Sequence, residues 1–305
     1  MKTLKVKGHQ DFELACYVWD KVENPVGVVQ IIHGMQEHAK RYNDFAKYLN
    51  KQGLIVFASD LRGHGLTAIN NNLPFGYSDG DIFMEIVFDQ IKITDYLKEK
   101  YKLPISIFGH SFGSFISQRY IIENGFKVKN VILCGSTYTN SMLYKLGYTM
   151  SGICKFFRGK KKPAKLIEKM SIKGYGKKYK DGNWLSRDEN NWYNYTHDPL
   201  CGMTFPNNFY HSFFKNARHN YKNLENIPFY LPILIISGTD DPVSGKKGIF
   251  NLFIKYGEAM KKVFLKTYLD ARHELLNETC KTEVYEDVTK FILTDRLNYI
   301  PTTLQ

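Results

Sequence analysis

Residues 109–113 read GHSFG, a G-x-S-x-G pattern. It lies between an apolar run, ISIF (105–108), and a helix-compatible run that starts at Phe112. A serine on so sharp a strand-to-helix turn stands clear at the end of a strand, and the flanking glycines let the backbone turn and pack closely. Ser111 is therefore the candidate nucleophile. Its hydroxyl needs a base to take the proton, and the base needs an acid to orient it. Behind such a turn the chain order is serine, acid, histidine. The stretch GTDDPVSG (238–245) offers Asp240 and Asp241, and LDARHELLNE (269–278) offers His273. Together these residues would carry out acyl transfer through a covalent acyl-serine. Two competing patterns fail on spacing. HELLN (273–277) has Asn277 where a zinc-binding H-E-x-x-H helix needs its second histidine. A phosphate loop ending at SGKKG (244–248) would need glycine at 240 and a hydroxyl residue at 247, where the chain has Asp240 and Lys247.

The elements that must hold these residues alternate in type. Residues 12–19 and 26–32 are short β-rich runs. Residues 37–53 carry Tyr42, Phe45, Ala46 and Leu49 at helical spacing, and Gly53 closes the run. Residues 54–60 are a continuous apolar strand, 81–101 a helix, 105–111 a strand, 112–125 a helix and 128–136 a strand. The pattern resumes with a strand at 231–238, a helix near 246–260, a strand at 263–269 and a last helix near 279–293. Such alternation predicts a mostly parallel sheet with helices on both faces. From 137 to 228 no buried strand is legible, so this stretch reads as a helical insertion between two strands of one sheet. Within it Met142, Leu146, Met150, Ile153 and Phe157 recur every three or four residues. That stripe fits core packing, the lining of an acyl-chain tunnel, or contact with a lipid surface.

The 305-residue chain is 43% hydrophobic, enough for a full core, and carries a net charge of +12. The charge is concentrated. Residues 145–181 hold 12 Lys and Arg against 2 Asp and Glu, which leaves the remainder at only +2. The run CKFFRGKKKPAK (154–165) lies inside the insertion with no nucleic-acid motif around it, so it reads as a solvated face or a foot for an anionic lipid surface. The five cysteines, Cys16, Cys134, Cys154, Cys201 and Cys280, are odd in number and form no CxxC, as expected of free thiols in a reducing, cytoplasmic setting. No apolar stretch approaches 18 residues, and the N-terminus lacks the apolar segment of a secretory signal.

Longer stretches carry a resemblance. HGMQEHAKRY (33–42), DLRGHG (60–65), GHSFGS (109–114), SRDENNWYNYTHDPLCG (186–202), GTDDPVSG and ARHELLNE (271–278) resemble the α/β-hydrolase-fold serine hydrolases of the monoacylglycerol lipase and lysophospholipase group. The resemblance implies an α/β-hydrolase core at 1–137 and 229–305, with 138–228 inserted as a lid. Family members show G-x-x-D after the acid strand, which puts the acid at Asp241. It implies an oxyanion hole from the backbone N–H groups of Met35 and Phe112. It places Tyr195, Glu37 and Arg41 at the polar head of the substrate, with a mutual Glu37–Arg41 salt bridge as the plainer reading. His33, Arg62 and His64 become loop-shaping residues, and Cys201 a packed thiol. Leu276 departs from the second histidine common in animal monoacylglycerol lipases. The expected activity is hydrolysis of monoacylglycerol-like or lysophospholipid-like esters, with no cofactor or metal and no nucleic-acid partner. Another acyl hydrolase (aryl esterase, thioesterase or aminopeptidase) and a non-catalytic receptor on the same fold are the alternatives.

Overall fold

The computed structural model describes residues 1–138, 141–170 and 172–297. Its apolar runs form one eight-stranded sheet. The strands are β1 (Lys2–Lys7), β2 (Glu13–Trp19), β3 (Gly27–Ile32), β4 (Leu54–Ser59), β5 (Ile105–His110), β6 (Asn130–Cys134), β7 (Ile233–Gly238) and β8 (Val263–Tyr268). Their order across the sheet is β1-β2-β4-β3-β5-β6-β7-β8. The β1–β2 and β2–β4 pairs are antiparallel and the others parallel. Strands β3 to β7 are buried along their whole length, which is why they read as unbroken apolar runs. On β5, Ile107 enters one core and Phe108 the other. The first core takes side chains of α3 (Ile82–Tyr101), α4 (Phe112–Asn124) and α10 (Lys246–Gly257); the second takes those of α1 (Asn43–Lys51) and α11 (Lys281–Thr294). A short α2 (Gly65–Asn70) follows β4.

Three features were not fixed by the sequence. Edge strand β1 was not legible, because lysines interrupt its apolar positions; it pairs with β2 along its length, and Lys5 meets Glu13 across the pair at 2.6 Å. The helix expected over 37–53 starts only at Asn43. The residues before it are committed to side-chain partners: Gly34 N donates to Glu37 Oε1 and Ala39 N to Asp60 Oδ1. The apolar stripe of the insertion does not pack on the core. Met142, Leu146, Ile153 and Phe157 are exposed, and α5 (Ser141–Arg158) turns Tyr144, Gly147 and Ser151 inward instead. The backbone at Gly147 lies against the Phe214 ring.

The rest of the stretch between β6 and β7 is α6 (Lys165–Met170), α7 (Ile172–Tyr175), α8 (Glu189–His197) and α9 (Asn207–Ala217), without a strand among the described residues. Among those residues, no helix is long and apolar enough to cross a membrane.

Candidate active site

Ser111 joins β5 to α4 with φ 50° and ψ −117°, a conformation that costs a non-glycine residue energy and recurs at functional turns. Three features hold it there. Ser111 N donates to Cys134 O at 2.8 Å, and Ser114 returns both N–H and Oγ to the Ser111 carbonyl. At Gly113 a Cβ would lie 2.0 Å from Ile32 O, so only glycine lets α4 approach β3 this closely.

The loops after β7 and β8 bring Asp241 and His273 together. His273 Nδ1 lies 2.9 and 3.0 Å from the two carboxylate oxygens of Asp241, and both residues are buried. Asp241 also accepts from Val243 N and from Ser244 Oγ, each at 2.8 Å. Burial pushes the Asp241 carboxyl up, but the His273 ring beside it and the hydrogen bonds from Ser244 and Val243 together more than compensate, and its pKa is lowered. Burial likewise disfavours the imidazolium of His273, but the charge and hydrogen bond of Asp241, together with the charges of Glu274 and Glu37, outweigh it, so the pKa of His273 is raised. With Nδ1–H donating to Asp241, Nε2 is left as the basic nitrogen. It is buried and has no hydrogen-bond partner among the described residues. His273 and Ser111 line the same cavity.

The ring of His273 is closely hemmed in. Gly135 has φ 61°, and a Cβ there would sit 2.9 Å from His273 Cε1. Trp184 and His110 lie 5.2 and 4.9 Å away, ring centre to ring centre. Burial, then repulsion from His273, lowers the pKa of His110 to about 3, so this neighbour stays neutral. Asp240 goes elsewhere: its carboxylate pairs with Lys178 and its carbonyl accepts from the Tyr179 hydroxyl. Of the two adjacent acid candidates, only Asp241 meets the histidine.

Met35 and Phe112 both line the cavity, and neither backbone N–H has a hydrogen-bond partner among the described residues. The cavity measures about 450 Å³ and draws its wall from the core and from the insertion. Most of that wall is apolar, including Leu143, Met150, Met170 and Phe213. The polar part holds Glu37, Glu274 and Tyr195. Arg41 is not among the lining side chains. It lies behind them, donating to Glu37 at 2.6 Å and to both oxygens of Glu274 at 2.7 Å, with its guanidinium 5.0 Å over the Tyr195 ring. The plainer Glu37–Arg41 salt bridge is therefore present. Burial raises the pKa of Glu37, with Arg41 opposing; at Glu274, where Arg41 bonds twice, the cation prevails over burial and the pKa is lowered.

The remaining candidates hold loops. His33 Nε2 accepts from Leu61 N, Arg62 pairs with the buried Asp89 at 2.9 Å, and His64 packs edge-on to Phe205. His38, Asp198 and Cys201 bring metal-type donor atoms within 4.8 Å of one another. However, His38 Nε2 already bonds Asp198 at 2.8 Å, and burial pushes the Cys201 thiol up, which holds it protonated. This cluster fastens the loop after α8 to the loop before α1.

The serine aminopeptidase S33 family matches residues 23–280. The chain belongs to this family. It is a serine hydrolase of the α/β-hydrolase fold. It is 26% identical to a monoglyceride lipase homolog of Monkeypox virus over 281 residues, 92% of each chain. It is 25% identical to a monoacylglycerol lipase of Mycolicibacterium smegmatis, covering 90% of this chain and 91% of that one. A thermostable carboxyl esterase from Bacillus coagulans, solved with glycerol, superposes with a TM-score of 0.87 at 24% identity, covering 96% and 97% of the two chains. A monoglyceride lipase from Saccharomyces cerevisiae, solved with a substrate analog, gives 0.73 at 21%, covering 98% and 96%.

In this serine hydrolase, Glu274 is the residue that reading the sequence missed. It directly follows His273, yet its partner Arg41 is 233 positions away and Asn191, which donates to it at 2.8 Å, belongs to α8. No local pattern announces such a bond. Gly135 and Trp184 were missed for the same reason.

Proposed function

We propose that this serine hydrolase cleaves single-chain lipid esters with a small polar head, monoacylglycerol first and lysophospholipid second. The observation that carries this is the cavity, an apolar chamber of about 450 Å³ with Ser111 and His273 in its wall. In this reading Ser111 attacks the ester carbonyl while His273 Nε2 takes its proton. Asp241 orients the ring and stabilises its charged form. The Met35 and Phe112 amides receive the oxyanion, His273 protonates the leaving alcohol, and water then frees the acid. Residues 138–228 act as a lid over a core of 1–137 and 229–305, and Tyr195 meets the leaving-group alcohol. The names of the viral and mycobacterial relatives support this substrate class. The family's aminopeptidase label is the competing reading, and it calls for a free carboxylate to clamp an ammonium group. Glu37 and Glu274 are held by Arg41, and Glu168 by Gln36, Tyr210 and Phe205 N. That favours ester over peptide.

The test is a rate comparison on monoacylglycerols, lysophosphatidylcholine, p-nitrophenyl esters of several lengths and aminoacyl amides. Long-chain esters should lead, and Ser111→Ala should lose about 10⁴-fold or more. Full activity in that variant would remove the mechanism, and turnover of short aryl esters or amides alone would remove the lipid.

A further inference from the structure

Trp184 belongs to the insertion, in the stretch between α7 and α8, and lines the cavity with its ring 5.2 Å from that of His273. The residues on either side of it are bonded to the loop that carries the histidine. Arg272 donates to the carbonyls of Asn183 and Ser186. Leu185 O accepts from Glu274 N at 2.6 Å, and Ser186 Oγ donates to Asn277 O at 2.7 Å. Arg187 donates through N and Nε to the two oxygens of Glu278, at 2.9 and 3.0 Å. Within the stretch, Asn183 Oδ1 accepts from Leu185 N and Ser186 N. Tyr175 of α7 supports the indole, with ring centres 5.3 Å apart. So many ties over so short a stretch leave the indole little freedom to move off the imidazole.

The two ring planes are tilted by 31°, an offset stack and not an edge contact. An aromatic face attracts a cation within about 6 Å of its centre, and more strongly where water is excluded. His273 is buried, and it becomes a cation when it takes the serine proton. The other groups that face it are known. Asp241, after β7, bonds Nδ1; Glu274, next in the chain, and Glu37, after β3, add negative charge; His110 on β5 stays neutral. The cation Arg41 is bonded to Glu37 and Glu274, and Arg272 is paired with Asp181. To these core groups Trp184 adds an uncharged, electron-rich face supplied by the insertion.

We propose that Trp184 is a positioning residue for catalysis: its indole seats the His273 ring and attracts the positive charge that the ring takes up with the serine proton. The inference rests on the reading of His273 as the base and makes no use of the lipid. It makes the insertion part of what tunes the base, beyond covering the cavity. Removing the indole has two effects of opposite sign. Lost attraction destabilises the imidazolium and moves its titration to lower pH. Water entering the vacated space stabilises the imidazolium and moves its titration to higher pH. A tryptophan that only fills space and excludes water therefore gives the reverse shift.

Two readouts test this on the full chain. One is the acid limb of kcat/KM on a water-soluble p-nitrophenyl ester. The other is the intrinsic fluorescence of the free enzyme against pH, since a protonated imidazole quenches an indole stacked on it. The parent should show a fluorescence step at the pH of the acid limb, and the step should be missing from Trp184→Phe and from His273→Gln. Trp184→Val should move the acid limb down by about 0.4–1.5 pH units and lower the plateau of kcat/KM about 2- to 30-fold. Trp184→Phe keeps a weaker aromatic face and should fall between the valine variant and the parent. Circular dichroism and thermal melts check folding; if the valine variant does not fold, the phenylalanine variant and the parent fluorescence step decide. An acid limb that stays in place or moves to higher pH overturns the proposal, as does a parent with no fluorescence step at the limb. Full activity in His273→Gln would instead remove the reading of the base, whatever the tryptophan variants show.

Discussion

An alanine at Gly135 would place its methyl carbon 2.9 Å from Cε1 and 3.1 Å from Nδ1 of His273. Ordinary contact between such atoms is about 3.5–4.0 Å, so ring or loop must give by roughly half an ångström or more. The ring cannot simply slide, because Nδ1 is tied to both oxygens of Asp241 and Trp184 lies close to it. The backbone gives no relief either, since Gly135 holds φ 61°, where a residue with a Cβ costs about 1–2 kcal/mol. Stability should fall by about that amount, a few degrees in Tm. The larger effect should be kinetic. A misplacement approaching 1 Å at a catalytic group costs on the order of 10²-fold, so kcat for Gly135→Ala should drop about 10- to 100-fold while KM moves less than twofold. Initial rates on a soluble p-nitrophenyl ester, with circular dichroism and thermal melts as folding controls, read both numbers. A folded Gly135→Ala protein with kcat within twofold of the parent would refute the idea that Gly135 seats a catalytic imidazole.

Asp241→Asn should lower kcat by about 10⁴-fold, because the amide no longer fixes the Nδ1–H tautomer. Asp240→Asn should stay within a few-fold, since it loses only a partly exposed pair with Lys178; the same ester assay separates the two. The acid limb of kcat/KM should lie above pH 6.5, because the proposed mechanism needs neutral His273 and its pKa is raised. The same shifts set a stability window. The contribution of His273, with a raised folded value, is complete below its unfolded value near 6.5 and fades as pH climbs through the folded one. That of Asp241, with a depressed folded value, is complete above about 3.8 and fades as pH falls through the folded one. The Tm difference between parent and Asp241→Asn should therefore peak between about pH 4 and 6.5. Glu274→Gln should cost about 1.5–3 kcal/mol in urea unfolding, as Arg41 keeps Glu37 but loses a charged partner. It should also move the acid limb to lower pH, because a negative charge that raises the pKa of His273 is gone.

The sequence by itself determined the buried strands of the sheet and the elbow. Continuous apolar runs specify strands buried on both faces, and those between 26 and 134 became β3 to β6 within a few residues of where they read. GHSFG marks Ser111 because a sharp strand-to-helix turn must draw its glycines from adjacent positions, so its signal is local. The basic charge of the insertion was equally plain, since counting residues needs no fold. The family spacing already pointed to Asp241 of the two neighbouring aspartates, and the fold brings its carboxylate to His273; tertiary structure alone decided that Gly135 makes room for the ring. It alone turned the apolar side of α5 outward, and joined Arg41 to Glu274 across most of the chain. Periodicity shows that a helix has an apolar side but carries no information on what that side meets. A single contact between distant positions leaves no repeat to read. The residues that position the proposed chemistry here were of that second kind, held by bonds that exist only once the loops after β6, β7 and β8 come together at one end of the sheet.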